Sequence, residues 1–276
     1  MIIRLFFICA FIAKLVPANS QVRVEGEIGK YPIAMVFSDL NYSTGVVNGR
    51  YRYKNQNNFL DLKGQIFGDC MYLEERFKNE VTGEFFLNLD RDSITGYWIS
   101  GNSSHRVKLV TRPLDSTFFK VKTLEEFSQS CDMNIDGGYG NQNYFINDWF
   151  YSKDRPSVEM GFNGGTLLLE QIGEDSLKFD VNVVCGPTYH FASASGIAIR
   201  KSSNLFHSIV KVMEGDTCQI WLEIEEKKVH VWASETSFSC GFGARAYLDH
   251  DFIKITNKSR FDGEIWLEDL KQMAIE

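Results

Sequence analysis

Gly49-Arg50-Tyr51-Arg52-Tyr53 and, after Asn55-Gln56-Asn57-Asn58, Phe59-Leu60-Asp61-Leu62-Lys63-Gly64 alternate apolar and polar residues with a period of two. That period belongs to strands with one buried and one wet face, because successive side chains point to opposite sides of a sheet. The amide-rich run between them supplies a turn, so the pair reads as an antiparallel hairpin. The rhythm extends in both directions. Strands are expected at Val22–Ile28, Pro32–Asp39, Gly45–Lys54, Phe59–Phe67, Cys70–Phe77, Val81–Asp90, Ser93–Ser100 and His105–Thr111. Turn residues separate them at Asn41 to Thr44, Gly68-Asp69, Asp90-Arg91-Asp92 and Gly101-Asn102. Eight strands in sequence form an antiparallel meander, which relieves its exposed edges by rolling into a barrel or a strongly coiled sheet.

Glycine recurs inside these strands, in Asn48-Gly49-Arg50, Lys63-Gly64-Gln65, Thr82-Gly83-Glu84 and Thr95-Gly96-Tyr97. A strand-interior glycine weakens a sheet unless the backbone must bend there or approach another group. A line of bends around a curved sheet is expected; clearance for a ligand inside the barrel is the alternative.

Gly26-Glu27-Ile28-Gly29-Lys30-Tyr31-Pro32-Ile33, Gly49-Arg50-Tyr51-Arg52-Tyr53, Leu62-Lys63-Gly64, Leu73-Glu74, Thr82-Gly83-Glu84-Phe85 and Gly96-Tyr97-Trp98 occur in that order. As a set they resemble a secreted β-meander module of bacterial envelope proteins. The resemblance covers the first barrel-like domain and implies fold and compartment, with no assigned activity.

Beyond Pro113 the pattern changes. Thr123 to Ser130 suits one or two helical turns, Asn134 to Gly140 is turn-rich, and residues 113–164 read as a linker or as strands without firm periodicity. From Gly165 the β rhythm returns at Thr166–Gln171, Ser176–Val184, Tyr189–Arg200, Ser208–Met213, Cys218–Glu225, Lys228–Ser234, Ala244–Leu248 and Asp251–Thr256. A short amphipathic helix with Ile265, Leu267, Leu270 and Met273 on its apolar side is expected at the end. The fold class is all-β: a leader over 1–20, a β-meander barrel-like domain over 21–112, the 113–164 stretch, and a second antiparallel β domain over 165–276. Cys218-Gln219-Ile220-Trp221-Leu222 and Cys240-Gly241-Phe242-Gly243-Ala244 are similar to a terminal module of other envelope proteins, including lysozyme-inhibitor-like ones.

The leader rests on Arg4, an unbroken apolar run from Leu5 to Ala13, and small residues in Ala18-Asn19-Ser20. These predict an export signal cleaved near Ser20, hence a secreted or periplasmic protein. Nine apolar residues are too few to cross a bilayer, which takes about 20 in a helix, and no later transmembrane segment is expected. Without Cys9 the chain keeps five cysteines, an odd number. Cys218 and Cys240 flank strands joined by a turn near Glu226-Lys227, so a disulfide is expected between them; two buried thiols are the alternative.

The net charge is −7, and removing Arg4 and Lys14 with the leader makes it −9. With no local basic patch, such a body repels phosphate backbones, and no nucleic-acid partner is expected.

Asp132-Met133-Asn134-Ile135-Asp136-Gly137 places Asp132, Asn134 and Asp136 as the first oxygen ligands of a calcium loop. The twelfth position is Asn143, which lacks the bidentate carboxylate, and a polar turn is the alternative. Calcium is the only cofactor the sequence suggests. Catalytic residues are not assigned: there is no Gly-x-Ser-x-Gly elbow, Cys70 lacks a basic setting, and the five histidines show no metal-ligand spacing. Glu74 and Glu75 fall on opposite strand faces, whereas Asp249 and Asp251 share one and carry the alternative of a polysaccharide hydrolase. Tyr139, Tyr144, Trp149 and Tyr151, with Phe145 and Phe150, crowd a Gly/Asn-rich stretch. They are candidates for ligand binding, or else plug a barrel end or a domain seam. The leading expectation is a noncatalytic binding protein with a protein or glycan partner, for instance an inhibitor of a basic enzyme such as lysozyme. A small-ligand β-barrel is a further alternative.

Overall fold

The computed structural model describes residues 21–90, 93–110, 118–148, 151, 157–211, 217–234, 239–261, 263 and 265–275. The leader and Trp149 lie outside them. Two closed antiparallel barrels of eight strands each follow one another. The first contains β1 (Val22–Ile28), β2 (Tyr31–Leu40), β3 (Val46–Tyr53), β4 (Leu60–Phe67), β5 (Cys70–Phe77), β6 (Glu80–Leu89), β7 (Ser93–Ser100) and β8 (Ser103–Val110). Each strand pairs with the next, and β1 closes on β8 through Glu25↔Val110 to Ile28↔Val107.

Its interior is filled. Met35, Phe37, Tyr51, Met71 and Phe85 are fully buried within one apolar cluster. The strand glycines point into this crowded space. At Gly64 a Cβ would stand 1.9 Å from the Tyr72 carbonyl oxygen, and at Gly83 it would stand 2.7 Å from the Trp98 indole nitrogen. The first clash is with a neighbouring backbone and the second with a core side chain, so these glycines serve curvature and packing. Glu75 also points inward, near one end of the barrel. Its buried carboxylate accepts hydrogen bonds from Tyr51, from Thr82 Oγ1 (2.6 Å) and from Trp98 Nε1 (2.9 Å).

Helix α1 (Leu124–Ser128) leads into the second barrel, capped by the reciprocal pair Thr123 and Glu126. The barrel contains β9 (Gly137–Asn147), β10 (Glu159–Gly173), β11 (Ser176–Cys185), β12 (His190–Arg200), β13 (Leu205–Lys211), β14 (Thr217–Glu225), β15 (Lys228–Ala233) and β16 (His250–Thr256), and β16 closes on β9. The stretch 113–164 therefore supplies α1, β9 and the start of β10. Helix α2 (Leu267–Ile275) packs across the outside, with Leu267 and Leu270 buried. Ala244–Leu248, expected to be a strand, is a loop: Arg245 takes φ +71°, while Ala246 and Leu248 are buried in the core. Cys218 and Cys240 form a disulfide that ties this loop to β14, whereas Cys70, Cys131 and Cys185 are free and buried.

The barrels meet at a seam. Tyr97 Oη donates to Asp148 Oδ2 (2.8 Å), and its ring lies 5.1 Å from that of Tyr151. Phe86, Tyr97, Ile99 and Val158 bury one another beside them.

Candidate functional site

The three aromatic candidates among the described residues, Tyr139, Tyr144 and Tyr151, do not converge on an open surface. Tyr139 is fully buried in the second barrel and donates to the Ile135 carbonyl (2.7 Å). Tyr144 packs between Phe67 (4.8 Å) and Phe162 (5.0 Å), and Tyr151 Oη bonds Ser104 Oγ (2.9 Å). These three are core and seam residues, the alternative that the sequence left open; Trp149 lies outside the described residues.

The calcium-like loop holds a different cation. Lys254, fully buried, directs its ammonium at the Asp132 carbonyl (3.2 Å), the Asn134 carbonyl (2.7 Å) and Asn134 Oδ1 (2.6 Å). The Asp136 carboxylate accepts from the Gln171 backbone N–H (2.6 Å). Among the described residues, no group of three or more His, Cys, Asp or Glu side chains is placed to hold a metal. Of the three candidate ligands, the Asn134 and Asp136 side chains are thus engaged within the protein.

A different set of residues stands out, on the outer face of the second barrel. On β14 the inward residues are Cys218, Ile220 and Leu222, and on β15 they are Val229 and Val231. Alternation therefore turns Gln219, Trp221 and Glu223 outward, with Lys228, His230 and Trp232 beside them. Register sets Trp221 against Trp232 and His207 of β13 against Trp221. The rings form a row: His207 to Trp221 at 4.2 Å, Trp221 to Trp232 at 6.2 Å with planes 12° apart, and Trp232 to His230 at 5.1 Å. Ile199 opposes His207 at one end, and Ile197 and Ile209 extend the apolar area, all three exposed.

Polar groups rim the row. His207 Nε2 meets Gln219 Oε1 at 3.1 Å. His230 Nδ1 meets Asp251 Oδ1 at 3.0 Å, and its Nε2 lies 3.4 Å from Asp249 Oδ1. Lys228 pairs with the second Asp251 oxygen at 2.8 Å, and a hydrogen bond from Lys228, more than any other contact, holds the Asp251 carboxyl below its usual range. Asp249 and Asp251 thus converge on one imidazole and engage both of its nitrogens. Compared with protein-family models, with curated proteins and with solved structures, the chain matches none.

Chemically, the arrangement offers contact area with hydrogen-bonding edges. The interiors of both barrels are packed with their own side chains, so Trp221 and Trp232 are not needed as core. The sequence shows this once the alternation Cys218-Gln219-Ile220-Trp221-Leu222 is followed, since the tryptophan shares the parity of glutamine. Its neighbours His207 and Ile199 come from other strands, and only the register reveals them.

Proposed function

We propose that the chain is an extracytoplasmic, noncatalytic binding protein that engages a protein partner through the outer face of its second barrel. The observation that carries this reading is the outward row of Trp221 and Trp232 between histidines. Tryptophan is the side chain most enriched among interface residues whose removal abolishes binding, and a central apolar patch with a polar rim is the usual anatomy of such surfaces. The exposed isoleucines at 197, 199 and 209 extend the apolar centre with aliphatic side chains, which suits a protein surface better than a sugar.

The Cys218–Cys240 disulfide supports an oxidising compartment, in keeping with the leader expected over 1–20. No helix of the described residues is long and apolar enough to cross a membrane. A net charge of −7 favours encounter with basic partners. Lysozyme is the first probe, given the likeness of the Cys218 and Cys240 segments to lysozyme-inhibitor-like modules. Surface-immobilised protein should bind it with an affinity that falls as salt rises. Replacing both Trp221 and Trp232 by alanine should weaken binding by about a hundredfold, as loss of interface hot spots does. Unchanged affinity of a folded double variant, or no binding to lysozyme or to a set of other basic secreted proteins, would refute the reading.

A further inference from the structure

A second feature of the same barrel stands apart from the tryptophan row. A groove of about 420 Å³ crosses the outside of β10, β11 and β12, walled by the segment that leads into α2. Thr166 opposes Asn182, and Asn182 opposes Ser193, so three uncharged polar side chains form one transverse line across its floor. The next line contains Val184 opposite Phe191. Phe191 is 58% exposed, and Trp266, on the wall, is 54% exposed.

Among the described residues, none of the twelve that line it is charged, in a chain with 24% charged residues. The Thr166 hydroxyl is committed, donating to the Ile265 carbonyl (3.0 Å) and fastening the wall to the floor. Asn182 spends one N–H on Asp180 Oδ1 (2.7 Å), which turns that carboxylate towards the amide. Among the described residues, its carbonyl oxygen remains available, as does the Ser193 hydroxyl.

These properties select a ligand class. Among the described lining residues an anion finds no cation and a cation finds no carboxylate, the Asp180 carboxylate being engaged by Asn182 from outside the lining. An alkyl chain would cover Asn182 and Ser193 without replacing their hydrogen bonds to water, which is costly. A ring with an apolar face and hydroxyl groups at its edge satisfies both halves of the groove. We propose that the groove binds an uncharged oligosaccharide, with Phe191 and Trp266 packing against pyranose faces and Asn182 and Ser193 bonding hydroxyl groups. The volume is within the range of small-ligand sites, about 300–1,000 Å³.

The test is titration of the full chain with chitotetraose, cellotetraose and maltotetraose, followed by calorimetry and by tryptophan emission. A tetragalacturonate and dodecanol serve as the charged and the apolar probe. At least one neutral sugar should bind saturably, and Phe191→Ala or Trp266→Ala should each weaken it about tenfold. Trp266→Phe should retain most of the binding, because the ring is what matters. The Trp221→Ala/Trp232→Ala variant should bind the sugar normally, so failure of the protein-partner reading would leave this one standing. Both aromatic side chains are largely exposed, so their removal should leave the melting temperature unchanged. The proposal is overturned if no neutral sugar binds at millimolar concentration, if dodecanol or tetragalacturonate alone binds, or if the Phe191 and Trp266 variants bind as tightly as the parent.

Discussion

His250 begins β16 beside the carboxylates of Asp249 and Asp251, yet its own ring lies against Tyr247 (4.9 Å), and among the described residues its buried Nε2 has no hydrogen-bond partner. Burial pulls its pKa below the ordinary histidine value, and the Asp249 charge opposes this only in part. The unfolded chain takes up the proton at about pH 6.5, whereas the folded chain takes it up only at lower pH. Between those two values the unfolded state holds more protons, so stability falls as pH falls through that window. His250→Phe keeps the ring contact and removes the titration. Melting temperatures between pH 7.5 and pH 5 should therefore drop less in the variant than in the parent; parallel curves would refute the assignment. At this scale the sequence is a partial guide. It shows that Glu74 and Glu75 face opposite ways, but only the register reveals that Glu75 is the one enclosed by Tyr51, Thr82 and Trp98. Trp221 and Trp232 were legible as outward residues from alternation alone, whereas their alignment with His207 depends on pairings between strands.

The strands of the first barrel were legible because each carries the two-residue period and ends in turn residues; β1, β5 and β7 match their expected limits. β9 was hidden for a physical reason. Gly137-Gly138-Tyr139-Gly140-Asn141 has the composition of a turn, but its glycines make room for neighbours. A Cβ at Gly138 would stand 2.5 Å from Leu270 Cδ2, and at Gly140 it would stand 2.4 Å from Leu267 Cδ1. Helix α2 sits directly on this strand, and tertiary packing overrides local propensity. Ala244–Leu248 misled in the opposite sense, because alternate burial of Ala246 and Leu248 imitates a strand without any ladder. The loop before β9 carries a prediction of its own. The Asp132 and Asn134 carbonyls and Asn134 Oδ1 already accept from the Lys254 ammonium, a cation held within the loop. Calcium or a chelator should leave the thermal unfolding curve unchanged. Lys254→Met should lower stability by about 1–3 kcal/mol, since the carbonyls and the Asn134 amide lose their donor inside the protein. A calcium-dependent rise in the parent's melting temperature would show that the loop does take a metal.

Two interiors and one seam make up the molecule. The core built on Phe37, Tyr51 and Phe85 and the core built on Tyr139, Phe179 and Phe252 share no side chain. Among the described residues, the seam between them has hydrogen bonds from Tyr97 to Asp148 and between Tyr151 and Ser104, a thiol contact from Cys70 to the Tyr144 carbonyl (3.6 Å), the Phe67–Tyr144 ring contact (4.8 Å) and a small apolar cluster. The tether from Tyr42 to Glu126 (2.6 Å) adds an exposed contact at the start of the second unit. Apolar burial dominates folding free energy, and most of it lies within each barrel, so the chain should unfold as two cooperative units. The Cys218–Cys240 bridge belongs wholly to the second. A bridge spanning 22 residues restricts the unfolded chain by about 3 kcal/mol in the entropy model. Calorimetry should accordingly resolve two transitions, with a reductant lowering only one of them, and that one should be followed by emission from Trp221, Trp232 and Trp266. Trp98 lies against the first core, so it should report the transition that the reductant leaves in place. A single transition that moves as a whole on reduction would mean that the seam couples the barrels more strongly than its few contacts suggest, and a ligand held on the second barrel would then stabilise the first as well.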